Sequence, residues 1–153
     1  MYPHIYHNEM SWETPKPDDI ALVFTPERTV FCALDGGVLT LPQIRDVGKS
    51  GAQYVFSIDE TAYYLVGERP EESERFRYVP SASIRAMTEQ TSPALFAVAA
   101  GESLYRWYDS QKFCGRCGAH MEKSTAERAM VCPACKNTVY PKICPAVIVA
   151  VHD

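Results

Sequence analysis

The pattern of apolar and polar positions divides the chain into a strand-rich front, a helix and a cysteine-bearing tail. Residues 20–25 and 29–34 are rich in β-branched and aromatic side chains and predict two strands. Asp35-Gly36-Gly37 predicts a turn, because glycine takes positive φ without steric cost, and residues 38–41 are the returning strand. Residues 54–58 and 62–66 are two further apolar runs. Asp59, Glu60 and Thr61 separate them, as in a hairpin. Residues 1–19, rich in Pro, His, Asp and Glu, read as an irregular lead-in, and residues 67–75, charged and carrying Pro70, read as a loop.

A helix is predicted next. Ser92 is placed to cap it, Pro93 suits the first helical position, and residues 94–108 have helix-forming composition. Ala97, Ala100, Leu104 and Tyr108 recur at helical spacing, as do Leu95, Val98 and Ala99, while Gly101 weakens the pattern. Tyr105, Trp107 and Tyr108 read as packing residues. The fold class is therefore α+β: a mostly antiparallel N-terminal sheet with a helix, then a small cysteine-bearing module. The expected domains are residues 1–111, residues 112–142, and residues 143–153 as the first strand of a further domain.

Composition agrees with a packed protein, since 46% of the 153 residues are hydrophobic and 22% charged. The net charge of −4 gives a general nucleic-acid-binding role no support. Residues 112–142 differ, with six basic residues (Lys112, Arg116, Lys123, Arg128, Lys136, Lys142) against two acidic (Glu122, Glu127). Charge alone still favours an ordinary solvated surface there over a phosphate-binding one. His4 and His7 have a spacing open to metal ligation, but an exposed terminus is the better reading. No signal sequence and no run of about 18–20 apolar residues is present, so the chain reads as cytoplasmic, without a membrane partner and with reduced thiols.

In a reducing compartment, paired Cys-x-x-Cys motifs point to metal. Cys114-Gly115-Arg116-Cys117 and Cys132-Pro133-Ala134-Cys135 are separated by 14 residues. Each pair forms a tight knuckle, for which Gly115 and Gly118 supply the unusual backbone conformations, and two knuckles present four soft ligands in a tetrahedron. Zinc is favoured over a redox pair, two disulfides or an iron–sulfur cluster. With four thiolates the site is structural, because no position is left for water or substrate. Cys32, in a predicted strand, reads as a small buried apolar residue; Cys144 has no evident partner.

Leu104-Tyr105-Arg106-Trp107-Tyr108, followed by Lys112-Phe113-Cys114-Gly115-Arg116-Cys117-Gly118, resembles the entry to the zinc ribbon of NADH pyrophosphatases of the Nudix hydrolase family. Val139-Tyr140-Pro141-Lys142-Ile143 and the run from Pro145 to Val151 resemble that family's passage into the first strand of its Nudix domain. The resemblance runs from about Ile84 to the end and covers the front part only in general character. It implies an N-terminal α+β domain, the ribbon and a Nudix domain in a homodimer. The implied reaction hydrolyses the pyrophosphate of NADH or NAD to nicotinamide mononucleotide and AMP, and extends to RNA with a 5′ NAD cap. That chemistry needs a box of the form Gly-x5-Glu-x7-Arg-Glu-x-x-Glu-Glu, whose glutamates hold Mg²⁺ or Mn²⁺.

The box does not occur in these 153 residues; Glu71-Glu72-Ser73-Glu74-Arg75 lacks its order and reads as a solvated loop. The expectation is a truncated chain, inactive by itself. By resemblance Tyr140 stacks on a base of the substrate, Glu127 contacts substrate and Arg85 meets phosphate. Their plain alternatives are packing, a surface charge and a salt bridge. The family often has an acidic residue where Cys144 stands. The competing reading is a non-catalytic zinc-ribbon module that binds RNA or a protein partner.

Overall fold

A computed structural model describes residues 4–87, 92–142 and Val149. Cys144 and, apart from Val149, the strand expected within 143–153 lie outside the described residues. The chain divides into two compact units, residues 1–106 and 107–153.

The first unit is built on two sheets. One has the order β1 (Tyr6–His7), β5 (Gln53–Ile58), β6 (Thr61–Leu65), β2 (Ile20–Leu22); the other runs β4 (Val38–Thr40), β3 (Thr29–Asp35), β7 (Arg77–Pro80). All pairings are antiparallel except β2 with β6, which run parallel with Ala21 opposite Tyr64. The hairpins fall where the turn residues place them. Gly36 and Gly37 carry φ of 54° and 81° between β3 and β4, and Asp59 takes φ 53° between β5 and β6.

β2 shows why the sequence reads as a continuous apolar run, since both of its faces are buried. Ala21 and Val23 enter a core with Phe31, Ala33, Ile44, Tyr64, Val66 and Phe76. Leu22 and Phe24 meet the long helix α3 (Pro93–Ser110), where a Cβ on Gly101 would lie 2.6 Å from Leu22 Cδ1 and 3.2 Å from Phe24 Cε2. Gly101 therefore marks a close approach of helix to strand, and the helix runs through it unbroken. Ser92 caps as expected, its Oγ accepting from Ala94 N at 3.3 Å. The buried stripe is Ala97, Val98, Gly101 and Glu102, whereas Ala99, expected on an apolar face, is exposed.

Four elements differ from expectation. The lead-in is not wholly irregular: β1 adds to the edge of β5, fastened where Ile5 N donates to Asp59 Oδ1 at 2.9 Å and His4 Nδ1 sits 2.8 Å from Asp59 Oδ2. His4 thus meets a carboxylate. β7 follows the charged loop, with alternation too short to stand out. Two short helices, α1 (Ile44–Val47) and α2 (Ser81–Arg85), are single turns below the length at which helical periodicity is readable.

Candidate metal centre and ribbon face

The second unit is a three-stranded ribbon of order β10 (Thr138–Val139), β9 (Met130–Val131), β8 (Glu122–Lys123). Its apolar content is small: Trp107, Cys114, Met121, Met130 and Cys132 form the buried cluster. Lys123 lies across the Tyr108 ring at 5.3 Å, and burial lowers its ammonium pKa. So little apolar surface does not hold a fold of this size alone.

The two knuckles supply what is missing. In the first, Gly118 N donates to Cys114 O at 2.8 Å and Arg116 N to Cys114 Sγ at 3.4 Å. In the second, Lys136 N donates to Cys132 O at 2.9 Å and Cys135 N to Cys132 Sγ at 3.4 Å. The residue after the second cysteine turns left-handed in both, Gly118 at φ 78° and Lys136 at φ 60°. The sequence reading gave this role to Gly115 as well, but Gly115 has no positive φ, and the position that matches Gly118 in the second knuckle is a lysine, Lys136. The turns are thus repeats of one backbone shape, which glycine eases and does not alone determine.

The turns bring all four cysteines together, with every Sγ within 4.8 Å of the others. Cys114 and Cys135 Sγ are 3.6 Å apart, and Cys117 and Cys132 Sγ 3.5 Å. A disulfide has its sulfurs about 2.05 Å apart, so neither pair is one. A tetrahedral Zn²⁺ with ligands at about 2.3 Å requires sulfurs about 3.8 Å from each other, close to what is seen. The N–H groups of Arg116 and then Cys117 hold the Cys114 thiol down at about 6, and Cys135 N lowers that of Cys132. Such thiols are ready to be thiolate ligands. The donor set fits a structural Zn²⁺, whose binding joins two turns that little else holds.

Beside the knuckles, Tyr140 Oη donates to Glu127 Oε1 at 2.8 Å, and the Tyr140 ring stays 51% exposed. Two residues singled out separately are therefore partners within the ribbon. Phe113, 65% exposed, meets His120 edge to face at 5.6 Å. Arg85 belongs to the first unit, where its Nη1 lies 2.6 Å from Glu102 Oε2. Sequence reasoning missed Glu102, whose buried place on α3 reads from the chain as one more helical polar residue. Cys32 is buried as expected, its thiol pushed up to about 11 by burial. Among the described residues no helix is long and apolar enough to cross a membrane.

Residues 109–140 match the NADH pyrophosphatase zinc ribbon domain family. The NAD-capped RNA hydrolase NudC of Klebsiella pneumoniae subsp. pneumoniae is 44% identical over 71 residues, 46% of this chain and 27% of that protein. The protein of the same name from Salmonella typhi is 39% identical over 70 residues, again 46% of this chain and 27% of the relative. The matched stretch thus spans about a quarter of these curated relatives' length. Knuckle geometry, four gathered sulfurs and these likenesses agree on one conclusion: residues 109–140 of this chain form a four-cysteine zinc ribbon similar to that of the NADH pyrophosphatases.

Proposed function

We propose that this chain is the N-terminal and zinc-ribbon part of an NAD(H) pyrophosphatase that cleaves NADH or NAD to nicotinamide mononucleotide and AMP and acts on NAD-capped RNA. The observation that carries the reading is the Tyr140–Glu127 pair. An exposed ring whose hydroxyl is fastened to a carboxylate 2.8 Å away is a preset surface for a base or nicotinamide ring. The knuckles fix where β10 ends, and so fix where Tyr140 stands. Glu127 acts twice in this reading, orienting Tyr140 and accepting from substrate hydroxyls with its remaining oxygen. Arg85 meets a phosphate. Its side chain is 41% exposed while one nitrogen engages Glu102, which leaves other edges of a five-donor guanidinium turned to solvent.

Zinc holds the ribbon and takes no part in hydrolysis. The hydrolytic metal, Mg²⁺ or Mn²⁺, belongs to a Nudix domain of the same protein. The 153 residues contain no Nudix box, so this stretch alone leaves NADH intact. The protein works as a cytoplasmic homodimer. The test is NADH hydrolysis by the protein translated from the uninterrupted reading frame, with and without Tyr140→Ala. Hydrolysis that falls with the substitution supports the reading. A reading frame without a Nudix box overturns it and leaves the ribbon as a binding module for RNA or a protein.

A further inference from the structure

The sheet of β4, β3 and β7 holds a cavity on the face turned away from the Phe31 core. Strand alternation sends Phe31 and Ala33 into that core. Cys32 and Leu34 therefore point the other way. Arg77 stands opposite Cys32 in the ladder, and Val79 opposite Val30, so both share their face. Together with Glu74 and Arg75, these side chains line a cavity of about 300 Å³. That volume is at the lower end for small-molecule sites, which suits a ligand well below drug size.

The floor is apolar and uncharged. Cys32 is 1% exposed, and burial pushes its thiol up to about 11, so it carries no charge at neutral pH. Val79 is half-buried, and Leu34, 43% exposed, forms a wall. The mouth is built by a tied turn. Ser73 N donates to Phe76 O at 2.9 Å, Phe76 N to Ser73 Oγ at 3.0 Å, and Tyr78 N to Glu72 Oε1 at 2.8 Å. Within that turn the Arg75 guanidinium lies 4.9 Å over the ring of Phe76, itself a buried core residue. Glu74 shares the mouth with Arg75 and Arg77, yet among the described residues it forms no ion pair with either. Two guanidiniums against one carboxylate leave the mouth with a net positive charge.

We propose that this cavity binds a small organic carboxylate, its apolar body resting on Cys32, Leu34 and Val79 and its carboxylate meeting Arg77 and Arg75 at the mouth. A guanidinium fork matches the two oxygens of a carboxylate, and a monoanion matches the surplus charge. Burial of the apolar body supplies the affinity that an exposed ion pair alone does not. The site uses none of Tyr140, Glu127 and Arg85, so it stands or falls apart from the proposed activity.

The test titrates benzoate into the zinc-loaded 153-residue chain at neutral pH and fixed ionic strength, following the Leu34 and Val79 methyl signals and Arg77 Nε–H by NMR. Saturable shifts at all three are expected. Acetate lacks the body and benzyl alcohol lacks the charge, and each is expected to bind about tenfold more weakly or not at all. Arg77→Gln is expected to weaken benzoate binding by about fivefold or more. Leu34→Asp puts a like charge into the wall and is expected to abolish binding; if that variant does not fold, Arg77→Gln, on an exposed side chain, carries the same reading. Shifts that do not saturate, equal affinity for benzyl alcohol, or unchanged affinity in Arg77→Gln overturn the proposal. Phenyl phosphate binding as tightly as benzoate overturns the carboxylate assignment. Leu34 and Val79 signals that move with protein concentration alone also overturn it, and assign the face to a second copy of this chain.

Discussion

Tyr140 Oη donates to Glu127 Oε1 across 2.8 Å, which couples the loop between β8 and β9 to the residue that follows β10. The carboxylate holds the phenol above its ordinary pKa range, so Tyr140 remains a donor at neutral pH. The consequence is directional: the hydroxyl end is fastened and the ring face is what remains to offer. Tyr140→Ala is expected to weaken NADH binding about tenfold, the order of one lost base–aromatic stack. Tyr140→Phe keeps the ring and should stay within about threefold, losing one exposed hydrogen bond. Fluorescence titration of bound NADH distinguishes the two; equal losses would mean that the hydroxyl, not the ring, meets the ligand.

Removal of metal should affect the two units differently. The ribbon cluster of Trp107, Met121 and Met130 is too small to persist without the knuckles closed, whereas the first unit has its own core around Tyr64 and Phe31. A strong chelator, or Cys132→Ser, is therefore expected to abolish the near-ultraviolet signal of Trp107 while most of the sheet signal in the far ultraviolet remains. Elemental analysis should give one zinc per chain. Loss of the whole far-ultraviolet spectrum on chelation would show that the first unit depends on the ribbon.

The parts legible from sequence were those with a strong local code. The knuckles announce themselves by spacing, and Gly36-Gly37 marks a turn at the position where both glycines take positive φ. What escaped was set by contacts distant in sequence. β1 exists because Asp59, 54 residues beyond Ile5, fastens it. Glu102 is buried because Gly101 lets α3 press on Leu22, and nothing local distinguishes that glutamate from a solvated one. Gly101 itself reads as a weakness in a helix when seen alone and as a contact point once β2 lies against it.

Gly101→Ala tests that contact. Alanine is the better helix former by about 1 kcal/mol, which would stabilise the variant if the helix face were open. The added methyl would stand 2.6 Å from Leu22 Cδ1 and 3.2 Å from the Phe24 ring, both buried. Overpacking of a filled core costs about 1–3 kcal/mol, so a net loss of about 1 kcal/mol is expected. Urea unfolding checks the sign, and a more stable variant would mean that Leu22 turns aside without cost.

Acid should release β1 before it unfolds the rest of the first unit. The carboxyl of Asp59 is held below the ordinary carboxylate range by Ile5 N–H first and by His4 second. A depressed carboxylate contributes stability that is present above its unfolded pKa of about 3.9 and is lost as pH falls through the lower folded value. β1 docking is thus expected to be steady from neutral pH to about 4 and to weaken below it. Tyr6 reports the event, since its ring packs 5.3 Å from Phe56 and 5.0 Å from Phe96, and detachment changes its environment. Asp59→Asn cannot ionise, so β1 should exchange its amide protons faster at neutral pH and show no further change on acidification. An acid transition at Tyr6 that persists in Asp59→Asn would assign the switch to another group.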